Sequence, residues 1–391
     1  MRRLSRLSWK AIIALGALIP LAGCSTIPNS GPSASDVIHQ ASNDSLPRYE
    51  FVDLTSGVTA LLEQRAPPSL FAHFGDYRMT GEPRIGIGDS ISVTIWEASS
   101  GGLFSAPLLD KVSTGSNSAT IPEQIVGRDG AITVPYAGRV PVAGRTTREV
   151  QTVVEKALEG KAIQPQVLIN VTHSLSNSVS VGGEVSTGAR IPLSVKGDRL
   201  LDVIAAAGGV RAPVNETFVE LSRGNKTTRV ALVRVIADPK ENIYLRPNDV
   251  LTLVREPQTF IAYGATGRNA EIPFEADGIS LAQALSKAGG LLDERSDPQG
   301  VFVFRYEPEN IARELNPASP LVARGQQTPV VYRLDLRDAN SLFVEQKFRV
   351  MNRDVIYVSN APLTEVTKIM QIFNTAAANA GSAAAIATTV K

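Results

Sequence analysis

Residues 183–210 and 264–291 carry one pattern at a constant offset of 81. Gly183 matches Gly264, Ala189 matches Ala270, and Ile191-Pro192 matches Ile272-Pro273. Gly197 matches Gly278, Leu200 matches Leu281, and Ala207-Gly208-Gly209 matches Ala288-Gly289-Gly290. A gapless match of this kind means one supersecondary unit used twice, so the fold must contain two equivalent modules. Each copy reads strand, strand, turn, short helix, Gly-Gly. Ser280 to Gln283 is a capping box, and Asp198 is expected to cap the first copy's helix. Gly208-Gly209 and Gly289-Gly290 supply left-handed helix stops. Each copy closes with a strand after an aspartate, at Asp249 and Asp354, an offset of 105. The second copy therefore carries an insertion of about two dozen residues, with 307–329 the candidate. The modules are placed at 176–257 and 258–360.

An α+β domain is expected upstream, over 81–175. Gly88-Asp89 is turn chemistry, and Ile91, Val93 and Ile95 then alternate with polar residues as in a half-buried strand. As the penultimate residue of that strand, Trp96 reads as core rather than as a stacking surface for a sugar ring. Residues 101–119 are rich in Gly and Ser and read as a loop. Asp129-Gly130 is a hairpin turn signal between two short β runs. Thr146 to Glu149 is a capping box opening an amphipathic helix that Gly160 should stop. Gln166 to Val171 alternates as a second strand.

The chain opens with Arg2, Arg3, Arg6 and Lys10, then an apolar run over 11–22. A dozen residues cannot span a bilayer as a helix, so 1–23 reads as a secretory signal peptide. Leu21-Ala22-Gly23-Cys24 has the form of a bacterial lipobox, with Cys24, the single cysteine of the chain, as the lipidated residue. Ser25 in the next position permits outer-membrane sorting. Residues 24–80, rich in Ser, Pro and Gly, read as a tether that becomes a loosely structured lead-in, with one short helix near Leu54 to Leu62. Removing the signal peptide leaves 35 basic against 38 acidic residues. That balance argues against a nucleic-acid binder.

Residues 361–391 form the last segment. From Glu365 to Val390 there is no proline. Val366, Ile369, Met370 and Phe373 fall on one helical face, and Thr367, Gln371, Asn374, Thr375 and Ser382 on the other. A helix of this length reaches about 39 Å, enough to cross a bilayer. A polar, uncharged face is costly to a lone span, but a ring of such helices turns it toward a water-filled lumen.

Motifs of soluble catalysis do not occur. There is no Walker A sequence, no Gly-x-Ser-x-Gly elbow and no His-Glu-x-x-His helix. His39, His73 and His173 lie far apart in the sequence, and no cofactor or metal is implied. Asp129, Asp198, Asp249 and Asp354 sit at turns or caps, where aspartate has a local reason to be.

Taken together, Gly88-Asp89 with Trp96-Glu97, Asp129-Gly130 with Pro135 and Gly138, and Pro165-Gln166 resemble the polysaccharide export sequence domain. The two repeats resemble SLBB domains, a β-grasp variant. With the lipobox and the final helix, the chain is similar to outer-membrane polysaccharide export lipoproteins of the Wza type. Ile27-Pro28, Ser30-Gly31-Pro32, Val301 to Tyr306 and Tyr357 to Leu363 look closest to the capsule branch, CtrA/BexD. The resemblance implies an α+β multidomain chain assembling as a ring homo-oligomer, an octamer by analogy, with a helical barrel crossing the outer membrane. It implies a passive, non-enzymatic conduit, lipid-anchored and mostly periplasmic, through which polysaccharide passes. An inner-membrane polysaccharide copolymerase and an ABC transporter would be its partners. A non-pore SLBB adaptor or a periplasmic glycan-modifying enzyme are the other readings.

Overall fold

The computed structural model describes residues 31–43, 48–65, 67–98, 103–104 and 118–364, with Thr367, Met370, Gln371 and Asn374. Cys24, Thr375 and Ser382 lie outside the described residues. The chain forms two compact units. One comprises Met1–Ala66, Gln258–Phe274 and Gly278–Lys391, and the other Pro67–Pro257 with Glu275–Asp277.

The first unit begins with helix α1 (Ala34–Asn43), strand β1 (Glu50–Asp53) and helix α2 (Ser56–Glu63). A loose lead-in was the expectation for this stretch, and the structure differs. Val37 and Leu54 are buried, and β1 pairs in parallel with a strand at Thr328–Leu334. The Pro, Gly and Ser content hides α1 and β1 because their burial depends on a sheet formed far away in sequence, whereas α2 is the short helix expected near Leu54 to Leu62.

The second unit opens with helix α3 (Leu70–Phe74) and the sheet of β2 (Ser90–Trp96), β3 (Ser118–Ile125) and, later, β6 (Gln166–His173). The order is β3-β2-β6, all antiparallel. Ile91, Val93 and Ile95 point into the core, as the alternation requires. The Asp129-Gly130 turn does not close a hairpin. It links β3 to β4 (Ala131–Val134), whose partner is β5 (Gly138–Pro141), through a turn at Pro135 to Ala137. Helix α4 (Thr147–Leu158) starts on the Thr146/Glu149 capping box, with both reciprocal bonds made. Val150, Val154 and Leu158 bury its inner face.

The first repeat follows as β7 (Ser178–Gly183), β8 (Ala189–Pro192), α5 (Leu200–Ala206), β9 (Thr217–Arg223), β10 (Lys226–Ala231), α6 (Leu232–Ala237) and β11 (Val250–Arg255). Its sheet order is β10-β9-β11-β7-β8. The second repeat, in the first unit, contains β12 (Gln258–Gly264), β13 (Ala270–Phe274), β14 (Ile279–Ser280), α7 (Leu281–Lys287) and β15 (Ser296–Glu307). It continues with α8 (Glu309–Leu315), β16 (Thr328–Leu334), α9 (Ser341–Lys347), β17 (Arg349–Val350) and β18 (Val355–Asn360). Its order, β16-β15-β18-β12-β13, reproduces the first, and β1 adds a sixth strand beside β16. In both copies the closing strand runs parallel to the opening strand. Between β15 and β16 stand residues 308–327, where β9 and β10 are joined by Gly224 and Asn225 alone.

The equivalence extends to the core. Leu200, Val203, Ile204 and Ala207 are buried in one copy, and Leu281, Ala284, Leu285 and Ala288 in the other. Each large aliphatic among them contributes roughly 1.5–3 kcal/mol of burial. One expectation fails locally. Helix α5 is capped at Arg199, not Asp198. Leu200 must take the buried place of Leu281, which sets Arg199 where Ser280 stands. The Asp202 carboxylate accepts the Arg199 N–H at 3.0 Å, while Asp198 closes a turn by accepting from the Ser194 N–H and hydroxyl.

Candidate functional site

In the α+β domain the two motif acids are buried acceptors that hold loops in place. Asp89 accepts from the Gly86 N–H at 2.7 Å, the Ser176 N–H at 2.8 Å and the Ser176 hydroxyl at 2.6 Å. It thereby fastens the start of β2 to the entry of the first repeat. Glu97 accepts from the N–H groups of Leu103, Phe104 and Ile163 at 3.1, 2.7 and 3.2 Å. These bonds satisfy backbone donors that burial would otherwise strand. Asp129 forms an ion pair with Arg139. Gly88, Gly130, Pro135 and Gly138 stand in or beside turns, and Pro165-Gln166 leads into β6. Trp96 is not core. It ends β2 on the face opposite Ile95, 38% exposed, paired across the sheet with Ser118 and Gln166.

The repeat glycines have one role each. At Gly183 and Gly264, φ is +84° and +89°, and a Cβ would collide with the carbonyl oxygens of Leu253 and Val358 respectively. Glycine is required there because the closing strand passes against the backbone. Gly209 and Gly290 donate N–H bonds to Ile204 and Leu285, and Gly208 and Gly289 to Ala205 and Ser286, ending both helices alike.

Asp249 and Asp354 hold the turn role expected of them, each accepting from a backbone N–H, of Arg246 and Met351 respectively, at 2.8 Å. Sequence reasoning misses the guanidinium clamped on each. Arg223 Nε and Nη2 reach Asp249 at 2.9 and 2.7 Å, and Arg305 reaches Asp354 at 2.9 and 2.6 Å in the same two-pronged way. The spare donor of each arginine bonds a carbonyl, of Tyr244 or Arg349. The available signal was an arginine near the end of the same strand in both copies.

The second copy builds on this pair. Arg305 also contacts Glu307 at 3.3 Å, and lies 4.8 Å from the centre of the Phe348 ring. Tyr332 donates its hydroxyl to Glu307 at 2.7 Å, and Arg65, after α2, pairs with the same carboxylate. Burial opposes the charge of Arg305, but the Asp354 and Glu307 carboxylates together hold its pKa above the ordinary guanidinium range. Burial first, then Glu307, raises that of Tyr332. Outside this cluster opens a cavity of about 840 Å³, with Tyr306, Arg48, Arg353 and Asn352 among its walls.

At the end of β18, residues 362–364 turn helical, and Thr367, Met370, Gln371 and Asn374 continue with helical backbone. Thr367 and Gln371 are exposed, as is Asn374. Among the described residues no helix is long and apolar enough to cross a membrane, and no cluster of His, Cys, Asp and Glu could hold a metal.

An α+β domain leading into two β-grasp-like modules of one strand order defines a class of modular cell-envelope proteins, those with a polysaccharide export domain and SLBB domains. The comparisons agree with that class. The family described as "Polysaccharide biosynthesis/export protein" matches residues 78–172, and the SLBB domain family matches 258–358. A capsule polysaccharide export outer membrane protein, CtrA of Neisseria meningitidis serogroup A, is 40% identical over 96% of this chain and 98% of its own. The capsule polysaccharide export protein BexD of Haemophilus influenzae is 35% identical over 93% and 94%. The Vi polysaccharide export protein VexA/TviF of Salmonella typhi is 28% identical over 93% and 97%. The chain belongs to the capsule polysaccharide export family.

Proposed function

We propose that this protein exports capsular or related extracellular polysaccharide across the outer membrane, as a conduit that leaves the polymer chemically unchanged. The observation that carries the reading is similarity along nearly the whole chain to proteins named for capsule polysaccharide export at the outer membrane. In this reading Cys24 carries the lipid anchor after removal of 1–23. The domains are those at 81–175, 176–257 and 258–360, and 361–391 supplies one membrane helix to a ring of identical chains. Thr367, Gln371, Asn374, Thr375 and Ser382 would face the lumen. Oxygen- and amide-bearing side chains without charge suit this wall, because they offer hydrogen bonds to sugar hydroxyls without holding the polymer tightly. The energy would come from an inner-membrane polysaccharide copolymerase and an ABC transporter below the ring, since no nucleotide-binding motif occurs in this chain.

The test is electron microscopy of full-length protein extracted from outer membranes in mild detergent. Closed rings with a central channel narrowing into the detergent belt are the expected result. Monomers or solid particles would overturn the conduit and favour an envelope adaptor.

A further inference from the structure

The two modules differ at one sheet edge. In the second, β16 takes β1 beside it as a parallel strand, with Glu50 opposite Val330 and Asp53 opposite Arg333. In the first, β10 holds the equivalent place and ends the sheet, with no strand beyond it among the described residues. Arg223 and Arg305 fix the alignment, since each clamps the closing aspartate of its module. Arg223 stands opposite Lys226 and Arg305 opposite Val330, so Lys226 answers to Val330 and Arg229 to Arg333. Arg333 turns its carbonyl toward the added segment, where it accepts from the Leu54 N–H at 2.8 Å. Backbone groups alternate in direction along a strand, so Thr227 and Arg229 point theirs at the open edge of β10. Lys226 and Thr227 are exposed. A groove of about 470 Å³ lies along this edge, lined by Thr227, Thr228 and Arg229 together with Pro67, Pro68 and His73. The two prolines have no N–H to give the edge. Unpaired backbone groups in such a row are a template for another strand.

The side chains along the edge select the strand that fits it. In the second module, Asp53 of β1 pairs with Nε of Arg333 at 2.6 Å, and Asn316 and Ser319 of the insertion hold Glu50. The first module has no insertion there, and Lys226 occupies the position that would face Glu50. Nε of Arg229, the atom equivalent to the one that takes Asp53, is buried without a hydrogen-bond partner, while Nη2 pairs with Glu256. A lysine on an edge discourages indiscriminate pairing, and an acid directly opposite it lifts that bar. We propose that the β10 edge is a docking site for an extended segment of a partner protein, added in parallel as β1 is on β16, with acidic residues three positions apart opposite Lys226 and Arg229. Main-chain bonds would supply the affinity, and the two acids the register and the selectivity. The proposal does not depend on the export reading.

The experiment uses full-length protein in mild detergent and a labelled, end-blocked peptide of residues 48–55, which carries the acid spacing of β1, with binding read by fluorescence anisotropy. The peptide should bind, and the amides of Thr227 and Arg229 should then exchange hydrogen more slowly. Thr227→Pro removes an outward N–H that no bond within the sheet uses, so the melting temperature should hold while affinity falls about tenfold or more. Lys226→Glu should weaken binding about threefold or more, as should a peptide carrying Glu50→Gln and Asp53→Asn. Lys226→Glu keeps the test decisive where the proline variant fails to fold. No binding, or full affinity in the Thr227→Pro and Lys226→Glu proteins, would overturn the docking site. Sedimentation separates the possible occupants. The oligomeric mass should be the same in the wild type and in Thr227→Pro. A smaller mass in the variant would mean that a second copy of this chain holds the edge, and would overturn the assignment to a partner protein.

Discussion

At the residue scale the decisive positions are those where two copies of the module solve one problem identically. Gly264→Ala places a methyl group against the Val358 carbonyl at a φ of +89°. It should cost more than about 2 kcal/mol, read as a lowered urea midpoint. No loss of stability would show that β18 can move aside. Asp354→Asn removes the carboxylate that grips a buried guanidinium at two points, leaves only the longer contact to Glu307, and should cost on the order of 3–5 kcal/mol. Asp249→Asn should cost less, because the side chain of Arg223 is 15% exposed against 5% for Arg305, and water can take up part of the charge. Equal losses in the two variants would contradict that ranking. The glycines were legible because a residue with positive φ and no room for a Cβ leaves few alternatives. The arginines were not, because an aspartate in a turn already has a sufficient local explanation. Trp96 was misread for a related reason. Its side of the strand follows from alternation with Ile95, which favours the outer face, and bulk alone does not decide burial.

At the scale of elements, the readings that succeeded are governed by bonds between near neighbours. The capping boxes at Thr146 and Ser280 close within one turn of backbone. The pairing of β1 with β16 joins distant segments, and nothing local in Glu50–Asp53 announces it. That strand is clamped from the inserted loop, where Asn316 and Ser319 both donate to the buried Glu50 carboxylate. Three tyrosines secure the same unit through their hydroxyls. Tyr49 donates to the Val37 carbonyl, Tyr332 to Glu307, and Tyr357 to the Pro32 carbonyl. Burial raises the pKa of each above the ordinary phenol value of 10.0, with the charges of Glu307 and Asp36 adding to it at Tyr332 and Tyr357. In the unfolded chain these phenols ionise first, so the unfolded state binds fewer protons above pH 10. The stability they provide is intact below that pH and is lost as pH rises through the folded-state values. Melting followed from pH 8 to 11.5 should fall steeply above about 10, and Tyr357→Phe should flatten the fall. An identical slope in the variant would show that Tyr357 takes no part.

For the whole molecule, the conduit reading predicts separate effects for the two ends of the chain. Deleting 364–391 should abolish surface polymer while the periplasmic part stays folded and anchored, measured by polymer immunolabelling alongside membrane fractionation. Normal surface polymer after the deletion would remove the pore helix from the mechanism. Cys24→Ala should yield an uncleaved or soluble periplasmic form, and palmitate labelling of that variant would refute the lipid site. Because the sequence holds a single cysteine, new cysteines at Thr367, Gln371 and Asn374 can be probed one at a time with a polar thiol reagent. Brisk modification of all three is expected of residues lining water. That the two modules share one architecture followed from a repeat visible in the sequence, whereas the proposed ring would depend on surfaces that no single chain displays.

The hydroxyl bond from Tyr357 to Pro32 also has a mechanical meaning. Gly31 lies seven positions after Cys24, a span of at most about 25 Å. The helical residues begin at 362, two positions after β18 ends at Asn360. With a lipid on Cys24 and a membrane helix over 361–391, as proposed, a tug on either would load one interior strand, gripped by β12 on one side and β15 on the other. On the proposed reading, strain from a moving polymer or a flexing bilayer would pass from one anchor to the other along β18.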